Sequence, residues 1–181
     1  MTNFNHAVQV VLKHEGGFVH HKKDPGGATN FGISLRWLNS QGDLDGLDDF
    51  DFDGDGDVDA DDIKTMSEAD ARDLYHRYWW TKHNYHLLLD RDISTKIFDM
   101  AVNMGARQAH KLAQRAVRAC GQLLKDDGLL GPKSFKAINA CNDDVLLGAL
   151  RVECKCFYKS LIKNKPDFAV FEAGWLARAY S

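Results

Sequence analysis

The chain has 181 residues and is 44% hydrophobic, which suits one domain or two small lobes with a packed core. No apolar run approaches the roughly 20 residues of a membrane-spanning helix, which excludes a helical membrane protein. Its net charge of −3 hides two parts: Asp43 to Asp62 holds eleven aspartates and no Lys or Arg, while the rest carries 15 acidic and 23 basic residues, a net of +8 suited to polyanions such as nucleic acid, anionic lipid or bacterial wall polymers.

Met1 to Val11 has no basic region followed by an apolar core and a cleavage site, so synthesis in the cytoplasm without an export address is expected. Cys120, Cys141, Cys154 and Cys156 form no Cys-x-x-Cys unit and read as reduced thiols. The first helix is predicted over Asn5 to His14, with Phe4, Val8 and Val11 at helical spacing. Glu15 is the next member of that stripe. Burial on the core face and the negative end of the helix dipole both disfavour a charge there, as suits a general acid. The bland reading, a last-turn glutamate bent out to water, has equal standing on spacing alone.

Gly16 and Gly17 end the helix. Phe18 and Val19 suit a short strand, Asp24-Pro25-Gly26-Gly27 a tight turn, and Phe31-Gly32-Ile33 the return before a helix over Leu35 to Ser40. This small hairpin would fold Asp24 and Thr29 back towards Glu15. Taken alone, Asp24 reads first as a turn-initiating Asp before proline.

The aspartate-rich stretch from Asp51 to Asp62 fits a twelve-residue calcium loop. Asp51, Asp53, Asp55 and Asp62 stand at side-chain ligand positions, Asp57 at the main-chain carbonyl position and Gly56 at the turn glycine. Asp62 replaces the glutamate usual at the last position, and the aspartate-terminated form is similar to dockerin loops. A structural Ca2+ is therefore expected, the alternative being a solvated acidic linker.

Beyond the insert, Ser67 and Asp70 form a capping box, and Ala71, Leu74, Tyr75 and Tyr78 a buried stripe. Trp79, between Tyr78 and Trp80, suits stacking on a sugar face or core packing. Helices are predicted over Ile93 to Met104, Ala106 to Cys120, Lys133 to Ala140 and from Asn142 to about Ile162, with a short segment around Trp175. Asp99 and Asn103 share one helix face and would line a cleft or bond to each other. Arg107, Lys111, Arg115 and Arg118 form a basic face. The expected class is mainly α with a small N-terminal β-hairpin and an EF-hand-like loop between helices.

Glu15-Gly-Gly followed by Asp24-Pro-Gly-Gly-x-Thr29-Asn-x-Gly-Ile resembles the glycoside hydrolase family 108 endolysins and muramidases of phages and bacteria. Ile97-Phe-Asp-Met-Ala-Val-Asn-Met-Gly, Asp127-Gly-Leu-Leu-Gly-Pro-Lys and Gly174-Trp175-Leu-x-Arg178 are similar to the peptidoglycan-binding region that accompanies that family. The resemblance implies a lysozyme-like fold and hydrolysis of the β-1,4 bond between N-acetylmuramic acid and N-acetylglucosamine. Glu15 would be the acid, Asp24 and Thr29 would activate water, and Asn30, Trp79, Asp99 and Asn103 would contact substrate. Phage-type lysozymes use a similar Glu, Asp, Thr series with a second gap one residue longer. The expected organisation is a muramidase lobe over 1–92, including the insert at 43–62, and a helical wall-binding lobe over 93–181, packed as one unit. Peptidoglycan is the expected partner, with no nucleic acid and no membrane insertion. The expected protein is a monomer that reaches the periplasm and cell wall through a separate pore-forming protein. A lytic transglycosylase or a non-catalytic calcium-dependent wall-binding module is the alternative.

Overall fold

The computed structural model describes residues 2–20, 27–41 and 50–181. Nine α-helices and a three-stranded antiparallel sheet are found among them, falling into two compact units: Val11–His76, and Met1–Val10 with Arg77–Ser181. Helix α1 (Asn3–Glu15) begins two residues before the predicted start and contributes its last residues, from Val11, to the first of these units.

In the Val11–His76 unit, the expected hairpin is a sheet with strand order β1 (Val19–His20), β2 (Ala28–Asn30), β3 (Ile33–Ser34). Asn30 pairs with Ile33, which leaves Phe31 and Gly32 as a two-residue connection with φ of 50° and 79°. Both central residues of a type I′ turn need positive φ, the twist that suits antiparallel strands. Glycine takes this conformation freely and Phe31 does not, so Phe31 needs support. The Tyr75 hydroxyl supplies it by donating to the Phe31 carbonyl at 2.9 Å. A side chain at Gly32 would stand 2.6 Å from Glu15 Cγ and 2.7 Å from the Tyr75 hydroxyl oxygen, inside the space either atom occupies. Helices α2 (Leu35–Gln41), α3 (Ala60–Thr65) and α4 (Glu68–Tyr75) follow, the last opened by the anticipated Ser67–Asp70 capping box.

In the other unit, a π-helical turn (His76–Thr81) leads to α5 (Arg91–Met104) and α6 (Ala106–Ala119), then α7 (Pro132–Asn139), α8 (Asp143–Asn164) and α9 (Glu172–Tyr180). Trp80 is buried against Phe4, Phe98 and Tyr85 in edge-to-face contacts, with ring centroids 5.5 to 5.9 Å apart. From α5, Asp99 binds Arg178 of α9 at 2.9 Å and Asn103 accepts from the Tyr158 hydroxyl of α8 at 2.7 Å. Lys96, also buried on α5, donates to the Arg178 carbonyl. Trp175 stacks on Tyr158 and Phe171. The motif around Trp175 and Arg178 is thus the fastening of α9.

The loop of the Asp127-to-Lys133 motif is fastened from α6. Buried Gln114 donates to Asp127 Oδ1 and to the Leu129 carbonyl, both at 2.9 Å, and accepts from the Gly128 amide at 2.8 Å. Gly128 has φ 80°, and a Cβ there would lie 2.7 Å from the Arg107 carbonyl. His110 Nδ1 lies 3.2 Å from the Gly128 carbonyl and its Nε2 lies 2.7 Å from the Tyr85 hydroxyl. A carbonyl only accepts, so Nδ1 carries the proton and Nε2 accepts from Tyr85. Burial, aided by neighbouring His83, holds His110 down to about 4, so it is neutral across most of the pH range. The four cysteines are free, and no helix among the described residues is long and apolar enough to cross a membrane.

Two stability measurements test these constraints. Gly32→Ala is expected to cost about 2–4 kcal/mol in urea denaturation, from left-handed backbone strain plus overpacking against Glu15 and Tyr75. Wild-type stability in place of that loss would refute the close approach. His110 is protonated more readily in the unfolded chain, so its contribution is complete above about pH 6.5 and is lost as pH falls towards 4, by on the order of 3 kcal/mol. His110→Gln should flatten the dependence of stability on pH in this window, and an unchanged slope would show that His110 does not carry it.

Candidate active site

Glu15 is the last residue of α1, and Gly16 follows with φ 75°, the left-handed residue that stops the helix. The glutamate is half-buried. Its Cβ and Cγ lie over the bare backbone of Gly32, at the turn between β2 and β3, with the Tyr75 hydroxyl on the same spot. The stem of this side chain, at a helix end, is thus seated on a turn with a phenol hydroxyl beside it. This pocket of contacts joins residues from three elements, α1, the β2–β3 turn and α4. Tyr75 appeared in the sequence only as part of an apolar stripe. Its position at the end of the helix that the capping box opens gave burial, but nothing local could reveal that its hydroxyl crosses to Phe31, 44 residues away.

Thr29 is half-buried at the centre of β2, opposite Val19 on one neighbour and Ser34 on the other. Strand alternation puts Ala28 and Asn30 on the other face, and both are buried. Asn30 therefore leaves the expected substrate-binding set. It is 5% exposed and its amide donates to the Ile63 carbonyl at 3.0 Å and the Met66 carbonyl at 3.4 Å, closing the end of α3 onto the sheet. Asp24 lies outside the described residues.

In the other unit, Trp79 is half-buried in the π-helical turn and remains a surface candidate. Asp99 is 2% exposed with its carboxylate held by Arg178, so its expected contact with substrate is replaced by an internal ion pair. Asn103 is exposed but spends its carbonyl on the Tyr158 hydroxyl. Asp99 and Asn103 share a face as expected, and each binds a different helix.

The acidic loop gathers its carboxylates into two groups of three. Carboxylate oxygens of Asp51, Asp53 and Asp55 lie within 4.8 Å of one another, as do those of Asp57, Asp59 and Asp62. Asp51 accepts from the amides of Gly54, Asp55 and Gly56 at 2.6, 3.2 and 3.0 Å. Gly54 and Gly56, with φ of 80° and 96°, let the chain wrap around it. Asp62 is buried; Oδ1 accepts from Phe52 N at 2.7 Å and Oδ2 from Asp59 N at 2.7 Å, tying the two ends of the loop together. Local desolvation and then Asp55 push Asp53 above the usual carboxylate range; Asp55 is the largest influence raising Asp57. Asp59 joins the second group although the sequence assigned it no ligand role. It stands at the ninth loop position, where a ligand often acts through water, and that spacing was the available signal. Phe50, 2% exposed, anchors the loop's entrance, and Val58 is half-buried.

Residues 8–105 match the family model described as Glycosyl hydrolase 108, and residues 108–180 match the one described as Predicted Peptidoglycan domain. Among solved structures, the chain is similar to one titled "Structure of Brucella abortus SagA", with 27% identity, a TM-score of 0.72, and coverage of 97% of this chain and 88% of that one. No curated protein sequence matches the chain. The mainly α, lysozyme-like class with a small antiparallel sheet agrees with these findings. Glu15, Gly32 and Tyr75 all fall within the first matched segment, and the fastened α6–α9 assembly within the second, so the chain belongs to the glycosyl hydrolase 108 family and is a peptidoglycan-degrading, lysozyme-like glycoside hydrolase.

Proposed function

We propose that the chain is an endolysin-type N-acetylmuramidase that hydrolyses the β-1,4 bond between N-acetylmuramic acid and N-acetylglucosamine, with Glu15 as the general acid. The observation that carries this reading is the seat of Glu15: a half-buried glutamate at the end of α1 whose Cβ and Cγ pack on Gly32 beside the Tyr75 hydroxyl. In the proposed reaction Glu15 transfers its proton to the glycosidic oxygen as the C–O bond breaks. Water attacks the anomeric carbon from the opposite face and loses its proton to Asp24, while Thr29 orients that water. Inversion follows from this arrangement and requires the acid and base carboxyls to stand about 6.5–9.5 Å apart, leaving room for water.

A structural Ca2+ forms the second part of the proposal. The donor set fits a hard cation: clustered aspartate oxygens, left-handed glycines and amides already turned onto Asp51. Asp51, Asp53, Asp55, Asp57 and Asp62 would hold the ion, with Asp59 near the same group. The ion would offset the repulsion among these carboxylates, and through α3 and the Asn30 amide it would brace β2.

Clearing of purified sacculi tests the enzyme reading. Glu15→Gln is expected to lower the rate at least ~100-fold, the usual scale for a lost general acid. The wild-type products should be heavier by one water than the anhydro sugars of a transglycosylase. Clearing that survives the substitution removes Glu15 from its role, and anhydro products would replace hydrolysis with transglycosylation.

Chelation tests the ion. At calcium a hundredfold above its dissociation constant, binding to the folded state alone contributes about 2.7 kcal/mol. EDTA should therefore lower the melting temperature of the wild type and leave Asp51→Ala, already destabilised, unchanged. Identical wild-type melting curves with calcium and with EDTA would remove the calcium site.

A further inference from the structure

One groove in the Met1–Val10 and Arg77–Ser181 unit is lined by none of Trp79, Asp99 and Asn103. It is a depression of about 890 Å³ between the end of α6, the loop after it and α7. Its apolar lining is aliphatic. Leu123 is fully exposed and Leu129 is 69% exposed, with Ala137 and Ala140 from α7 beside them. Exposed leucines are costly in water unless something covers them.

The polar lining is one-sided. Lys125, Lys133 and Lys136 are exposed around the groove, and its one acidic residue, Asp127, is already occupied by Gln114 and by the Leu129 amide. Those bonds hold the Asp127 carboxyl below the usual range, so it stays charged but turned inward to partners. Next to the loop, Asp126 is paired with Arg115 and Arg118. Asp127 stays an anion on which Lys125 acts, so three lysines against one carboxylate leave the lining with a surplus of two positive charges. The groove is built rather than incidental: Gln114 and Ser134, 1% and 4% exposed, brace its floor through the Leu129 carbonyl. At its end α7 begins with Gly131 and Pro132 and no side-chain cap, which adds the positive end of a helix dipole.

An occupant must therefore be extended, carry small aliphatic groups for the leucine and alanine lining, and present several carboxylates spaced along it for the lysines. A sugar chain alone supplies hydroxyls and few charges. The peptide stems of peptidoglycan supply both features, since they alternate alanine methyl groups with free carboxylates. We propose that this groove binds the stem peptide of peptidoglycan and so holds the enzyme on peptide-bearing wall. The inference rests on the peptidoglycan reading above and names the part of that polymer which this unit recognises.

Co-sedimentation with sacculi tests it in the full chain carrying Glu15→Gln, with turbidity recorded alongside, so that residual digestion (a failure of the catalytic reading) is seen separately from a failure to bind. Three walls are compared: intact sacculi, sacculi stripped of stems by an amidase, and intact sacculi with soluble L-Ala-γ-D-Glu-diaminopimelate-D-Ala tetrapeptide as competitor. Binding to intact sacculi should exceed binding to stripped sacculi at least tenfold, and the tetrapeptide should compete. Adding Lys125→Ala, Lys133→Ala and Lys136→Ala together should weaken binding to intact sacculi at least tenfold with circular dichroism unchanged, and Leu129→Ser alone should weaken it in the same direction. Equal binding to stripped and intact walls would assign recognition to glycan and overturn the proposal. Undiminished binding by the folded lysine variant would overturn it as well.

Discussion

The local constraint on which the seat of Glu15 depends is the absence of a side chain at Gly32. Two atoms from different elements, Glu15 Cγ and the Tyr75 hydroxyl oxygen, stand where that side chain would be, so the turn, the end of α1 and α4 can meet there only over bare backbone. The same turn needs positive φ at Phe31, and the hydroxyl that crowds Gly32 is the one that holds the Phe31 carbonyl. Conformation and packing thus require one another.

The acidic loop extends the same bracing from the other direction. Asp62 closes the loop by accepting from Phe52 and Asp59, and it also caps the first turn of α3. The far end of α3 is closed by the buried Asn30 amide from β2. Charge on the loop is thereby linked to the position of the strand that carries Thr29, through one short helix. Like charges drive the loop open and the backbone amides around Asp51 counter only part of that repulsion. So concentrated a run of aspartates makes local order at this end of α3 depend on how its like charges are balanced.

Elements were legible in the sequence where local signals decide them. The Val8–Val11–Glu15 stripe, the Ser67–Asp70 box and the twelve-residue spacing of the aspartates are all satisfied within a few turns, so the pattern carries the answer. Partners distant in sequence were not legible. Asp99 and Asn103 were correctly placed on one helix face, but what that face meets is Arg178, 79 residues on, and Tyr158, 55 residues on. Asn30 looked like part of a catalytic signature because it follows Thr29, yet strand alternation alone turns it inward. The neighbour of a site residue in a strand belongs to the opposite face, and that rule could have separated the two.

Charge distribution shows the same lesson at larger scale. The basic face of α6 suggested a polyanion surface, but Arg115 and Arg118 are turned onto Asp126. Net charge counts these arginines and the groove lysines alike, although only unneutralised cations project a field beyond a few ångströms. What selects a partner is therefore where charge is left over after internal pairing. Part of the remainder lies beside exposed leucines, where three lysines face one carboxylate, and the combination of surplus cations with uncovered aliphatic surface is far more restrictive than a surplus of positive charge. It favours an anion with methyl groups over an anion alone, which is how a wall hydrolase could distinguish peptide-bearing peptidoglycan from other acidic polymers at the cell surface.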